Sequence, residues 1–87
     1  MDIIECYYNN YSEEDWDYYM SIIEGSNIKL SGIPQDIVDA LYYLMGIKMM
    51  KWLKEPLPGL EGKTPIELLA SERGTKALKT FIMEIPL

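Results

Sequence analysis

Trp52-Leu53-Lys54-Glu55-Pro56-Leu57-Pro58-Gly59-Leu60-Glu61-Gly62-Lys63-Thr64-Pro65-Ile66-Glu67-Leu68-Leu69-Ala70-Ser71-Glu72-Arg73-Gly74 is the stretch that decides the fold. Two prolines and two glycines between Glu55 and Lys63 leave no room for a helix, so a compact loop is expected, pinned to a core by Leu57 and Leu60. Thr64-Pro65-Ile66-Glu67 then supplies an N-cap hydroxyl, a proline at N1 and a carboxylate at N3. The hydroxyl can accept from the N3 amide while the carboxylate reaches back to the N-cap amide, so two donors that a helix start leaves open are satisfied together. A short helix from Pro65 to about Ser71 follows and presents Ile66, Leu68 and Leu69. Gly74 reads as its end. A last helix is expected from about Thr75 to Ile85, with Ala77, Leu78, Phe81, Ile82 and Ile85 on one face. The two form a C-terminal helical hairpin, expected to dock on a long central helix.

Upstream, Pro34 suits the first position of a long central helix running to about Lys54. Its main apolar face is Ile37, Val38, Leu41, Leu44, Met45, Met49 and Trp52. A second stripe, Tyr43, Ile47 and Met50, points the other way and wants cover, from residues 13–24 or from a second copy of the chain in a homodimer. Gly46 within this helix weakens it by about 1 kcal/mol relative to Ala and marks a kink or a close crossing. Before it, Ser12 caps a helix whose Glu13, Glu14 and Asp15 suit the positive end of the helix dipole. Trp16, Tyr19, Met20 and Ile23 form its buried face, and Gly25 reads as its terminator. Residues 1–11 read as a weak helix or an irregular arm, and 26–33 as a connector. The fold class is all-α, with about four or five helices. An acidic N-terminal helical region, 1–33, and a domain over 34–87 make one compact unit.

Charge is unevenly spread. Residues 1–45 carry nine acids against Lys29 alone, a balance of −8, and residues 46–87 carry five acids against seven bases, a balance of +2. The first half would be repelled by phosphate and by anionic lipid, so no direct DNA binding and no membrane association are expected. There is no histidine, which excludes imidazole acid–base chemistry and His-ligated zinc. Cys6 stands alone, which fits a reducing compartment. The glycines punctuate turns without the lysine a phosphate loop needs, and the carboxylates have no calcium-loop spacing. Acids at the N-terminus do not suit a signal peptide, and the apolar run from Ala40 to Ile47 is too short to span a bilayer, so a cytoplasmic location is expected. The composition points to a protein that binds another protein and is not an enzyme.

The stretch from Trp52 to Gly74 closely resembles the toxin-binding, C-terminal domain of the Xre/MbcA/ParS antitoxin family. Trp52, Pro56, Leu60, Gly62, Thr64, Pro65, Leu68, Leu69 and Gly74 match its pattern without a gap, and the resemblance extends over roughly residues 34–85. Each of these residues also has a plain folding role: glycines for special backbone geometry, Thr64-Pro65 to start a helix, the leucines and Trp52 for the core. The sequence departs from the family where Leu57 replaces a frequent Asn and Glu61 a frequent Gly. The resemblance implies an antitoxin whose partner is a RES-domain toxin, an enzyme that consumes NAD or transfers ADP-ribose. It implies steric inhibition by cover of the toxin's cleft, with no cofactor of the antitoxin's own. The partner-facing end is then expected at Met83, Glu84, Pro86 and Leu87, flanked by Arg73, Lys76 and Lys79. The alternative is a stand-alone phage or mobile-element inhibitor or adaptor that meets a basic protein through the acidic half.

Overall fold

A computed structural model describes residues 2–86. The chain is all-α: α1 (Ile3–Asn9), α2 (Glu13–Ser21), α3 (Gln35–Met45), α4 (Met49–Trp52), α5 (Pro65–Leu68) and α6 (Glu72–Met83), with 3-10 turns at Gly46–Lys48 and Pro58–Leu60. Among the described residues the β-type pairing is confined to an isolated bridge between Leu57 and Lys63, which closes the loop.

The N-terminal arm is a helix because Asp2 caps it: its carboxylate accepts from the Glu5 amide at 2.6 Å. The Ser12 hydroxyl does the same for α2, accepting from the Asp15 amide at 3.2 Å, and Trp16, Tyr19 and Ile23 are buried as their spacing requires. Gly25 is not the terminator of α2. The helix stops at Ser21 with Ile22 in the right-handed region. The chain beyond is drawn instead onto Asp39, which accepts from the Ser26 amide (3.1 Å), the Ser26 hydroxyl (2.9 Å) and the Gln35 side-chain amide (2.9 Å). Burial pushes the Asp39 carboxyl up, but the hydrogen bonds from Gln35 and Ser26 outweigh it and hold it below the usual carboxylate range.

The long central helix is broken, contrary to expectation. Pro34 is its cap and α3 ends at Met45. Gly46 sits at φ +61°, ψ −144°, a conformation nearly closed to any residue with a Cβ. The chain pivots there, passes through a 3-10 turn and restarts as the single turn of α4, which carries the fully buried Met49 and then Leu53 into the core beneath Ile37, Val38 and Leu41. A straight helix could not bury Met49 and also turn the chain into the proline loop.

That loop is as read: Leu57 and Leu60 are buried, the Leu57 amide donates to the Lys63 carbonyl (2.9 Å) and the Gly62 amide to the Leu57 carbonyl (2.8 Å). Gly62 takes φ +74°, and Glu61 before it takes the left-handed φ of +59°. A residue with a Cβ gives up about 1 kcal/mol there. Glu61 occupies the position for which the resemblance offers a glycine, and its carboxylate receives the Ile4 amide at 3.4 Å. The capping box is complete, with Thr64 Oγ1 accepting from the Glu67 amide (3.1 Å) and Glu67 Oε1 accepting from the Thr64 amide (2.9 Å).

Gly74 does not break a helix. Ser71 caps α6 by accepting from the Gly74 amide at 2.9 Å, so Gly74 lies in its first turn. A Cβ there would stand 2.1 Å from the Leu68 carbonyl oxygen, so the glycine allows the backbones of α5 and α6 to meet. The hairpin is not docked chiefly on the central helix either. The main neighbour of α6 is α1, joined through an edge-on Tyr7–Phe81 contact at 5.7 Å and an Asp2–Arg73 ion pair at 3.3 Å.

Two expectations follow, both read by urea unfolding. A glycine inside a continuous helix would gain about 1 kcal/mol on replacement by alanine. Gly46→Ala should instead lose about 1–3 kcal/mol, because the alanine inherits a positive φ, and Gly74→Ala should lose about 3 kcal/mol through the clash with Leu68. Because the Asp39 carboxyl is lowered in the folded chain, its contribution is complete above the unfolded value near pH 4 and is lost as pH falls below it. The fall in stability between about pH 4 and pH 2 should therefore be shallower in Asp39→Asn than in the parent chain.

Candidate functional site

Among the described residues no group of three or more Cys, Asp or Glu side chains is placed to hold a metal ion, and no helix is long and apolar enough to cross a membrane. The polar and apolar side chains that the fold leaves unused define a candidate surface.

The basic side chains of α6 are largely used. Lys79 lies over the Trp16 ring at 5.1 Å and bonds Asp36 at 3.3 Å, with only 15% of its side chain exposed. Asp36 also accepts the Trp16 indole N–H at 3.0 Å. Lys76 pairs with Glu72 at 3.0 Å and lies 5.7 Å from the centre of the Tyr11 ring. Its ammonium is held above the usual lysine range by the bond to Glu72. Arg73 pairs with Asp2, whose carboxyl is lowered first by the Glu5 amide and further by Arg73. The Tyr11 hydroxyl, which donates to Glu13, is pushed above its ordinary value by burial and by that carboxylate. The three bases expected to flank a partner-facing end are thus each paired with a carboxylate of their own chain. Met83 is half-buried against the core, Glu84 and Pro86 are exposed, and Leu87 lies outside the described residues.

The motif residues divide in two. Leu60, Pro65 and Leu68 are buried, Thr64 caps, Gly62 and Gly74 shape backbone, and Leu69 is half-buried. Trp52 and Pro56 reach the surface. Trp52 is half-buried, stacked on Phe81 with ring centres 6.4 Å apart.

The second stripe is not covered. Residues 13–24 pack with Trp16, Tyr19 and Ile23 into the main core and leave Tyr43, Ile47 and Met50 open, Ile47 at 67% exposure. The pivot at Gly46 explains this, since it turns the stripe onto the outside of a corner. Tyr42 is exposed there too. Beside the stripe runs a groove of about 440 Å³, lined by Met45, Lys48, Lys51, Trp52 and Glu55. Periodicity assigns Met45 and Trp52 to a core face and does not foretell the groove. The signal that could have found it is the recurrence of Lys48, Lys51 and Lys54 every three residues beside Ile47 and Met50. A second hollow, of about 390 Å³, lies against Ile4, Lys63, Leu68 and Gly74, where α1 meets α5 and α6.

The sequence model of the antitoxin Xre/MbcA/ParS C-terminal toxin-binding domain matches residues 36–85. The match takes in nearly all of α3 and the whole of α4, α5 and α6, and leaves α1 and α2 outside it. Neither the curated proteins nor the solved structures contain a match to the chain.

If Lys79 is an internal strut, Lys79→Ala should lower stability by about 1–2 kcal/mol through the broken pair and the lost ring contact. A thermal melt checks this; an unchanged melting temperature would return Lys79 to the free surface.

Proposed function

The chain belongs to the Xre/MbcA/ParS antitoxin family through its C-terminal toxin-binding domain, and from that premise we propose that it binds and sterically inhibits a RES-domain toxin. The match over residues 36–85 is the observation that carries this reading. The toxin class rests on the motif from Trp52 to Gly74, which resembles that of antitoxins paired with RES-domain enzymes that consume NAD or transfer ADP-ribose.

Inhibition of this kind needs no chemistry from the antitoxin. It needs a rigid body that seats on the toxin and keeps NAD from the cleft, so the antitoxin's contribution is shape, apolar area and a few placed charges. The family unit is stiffened where such a body needs stiffness: a complete capping box, a bridged loop and a backbone-to-backbone contact at Gly74. It also retains exposed apolar side chains that its own N-terminal helices do not cover. The acidic half is less available for a basic target than its composition implies, because Asp2, Asp36 and Asp39 are bonded within the chain.

Co-expression with a RES-domain enzyme from the same genome tests the proposal. Growth arrest should be relieved and cellular NAD held near its uninduced level. In vitro, NAD consumption should fall to background at about one antitoxin per toxin. Undiminished consumption at large excess of the folded antitoxin would refute the reading.

A further inference from the structure

We infer that the corner between α3 and α4 is the toxin-docking surface, and that its occupant is an acidic toxin segment carrying one large apolar side chain. The inference rests on the proposed function and names which face of the domain performs it.

Charge is the first reason. Arg73, Lys76 and Lys79 are each within 4 Å of a carboxylate of the same chain, whereas Lys48, Lys51 and Lys54 have no ion-pair partner among the described residues. In a protein of net charge −6, the segment from Gly46 to Glu55 holds three lysines against one acid, Glu55. A carboxylate-bearing partner is drawn to this corner and repelled by α2, where Glu13, Glu14 and Asp15 are exposed. The field of the chain thus orients the approach as well as favouring it.

Apolar shape is the second. The groove is walled by Met45 and Trp52, with Lys48 and Lys51 at its sides, and Ile47 and Met50 stand exposed on the same short segment. A volume of about 440 Å³ is enough for one large side chain. Methionine walls adapt to the shape that enters, and the ring of Trp52 gives that shape a firm surface. Tyr42 and Tyr43 add amphipathic area of the kind that recurs at binding hot spots.

A second copy of the chain fits less well. A two-fold contact would bring each corner against its own image and oppose Lys48, Lys51 and Lys54 to the same three lysines. The carboxylates that would relieve this repulsion belong to another protein. The partner-facing end expected at α6 is also partly taken, since α1 lies along that helix.

The probe is the RES-domain enzyme of the co-expression test, titrated by calorimetry with the full chain. Lys48→Glu/Lys51→Glu and, separately, Ile47→Glu should each weaken binding by roughly 30-fold. Lys29→Glu, the same change of charge on the connector, should stay within about twofold, and the affinity of the parent should fall with salt more steeply than that of the double variant. Melting curves matching the parent's establish that the corner variants are folded. Folded corner variants that bind like the parent would overturn the docking site and leave the proposed function standing. A parent chain that binds no toxin would overturn both. A parent that sediments as a dimer, dissociated by Ile47→Glu, would assign the corner to a second copy and overturn the inference.

Discussion

The Asp36 carboxylate is the tie on which the rest of the arrangement depends. It stands in the first turn of α3, where the helix dipole favours a negative charge, accepts a hydrogen bond from the Trp16 indole N–H of α2 and pairs with the Lys79 ammonium of α6. Three helices distant in sequence are joined at one group. The indole ring that donates to Asp36 also carries the Lys79 ammonium on its face, so the three side chains are satisfied together. A partly buried lysine without these partners would cost several kcal/mol. The acidic N-terminal region is thereby fastened to the family domain, and its high negative charge is compatible with folding because part of it is consumed at this tie and at Asp2–Arg73.

Fastening α1 and α2 to α6 has a consequence for the surface. A helix hairpin with three bases on its last helix offers an obvious electropositive face, yet here each of those bases is paired with an acid of the chain, and Lys76 and Lys79 also lie against its aromatic rings. The corner at Gly46 stays unclaimed, with Ile47 and Met50 exposed. Two glycines share the responsibility for that division. Gly74 lets α5 and α6 close on each other, so the hairpin presents a compact side to α1, and Gly46 ends α3 early enough to throw Ile47 and Met50 outward while Met49 turns in.

The family motif and the binding surface are therefore different things. Most of the matched positions set backbone geometry or fill the core: Thr64 and Glu67 cap, Gly62 turns the loop, and Leu60 and Leu68 are buried. Such residues identify the fold because few others could take their places. They say little about which partner is held, since a buried side chain is not offered to one. Trp52 and Pro56 reach the surface, and Trp52 is stacked on Phe81 on one side and open to the Met45 groove on the other.

Local rules sufficed wherever a residue's partner lies within a few positions along the chain. The caps at Ser12 and Thr64, the loop anchored by Leu57 and Leu60, the buried face of α2 and the all-α class were legible in this way, because capping, turn chemistry and periodicity are short-range physics; the family was legible through the resemblance of the motif from Trp52 to Gly74. Gly46 was legible as a weak point, but whether it kinks or ends a helix depends on whether Met49 gains more by burial than the helix gains by continuing, and that balance involves the core. Gly74 was legible as unusual, but the Leu68 carbonyl that requires it becomes its neighbour only once α5 and α6 have met. Lys79 looked like a surface base because no acid stands three or four positions from it on its own helix; its partners are Asp36 and Trp16, 43 and 63 positions away. The sequence by itself determined the class, the kinship and the helix starts at Ser12 and Thr64. Only the tertiary structure decided which charges are spent inside and which apolar side chains stay outside, because burial and ion pairing are settled between helices that meet in space and not along the chain.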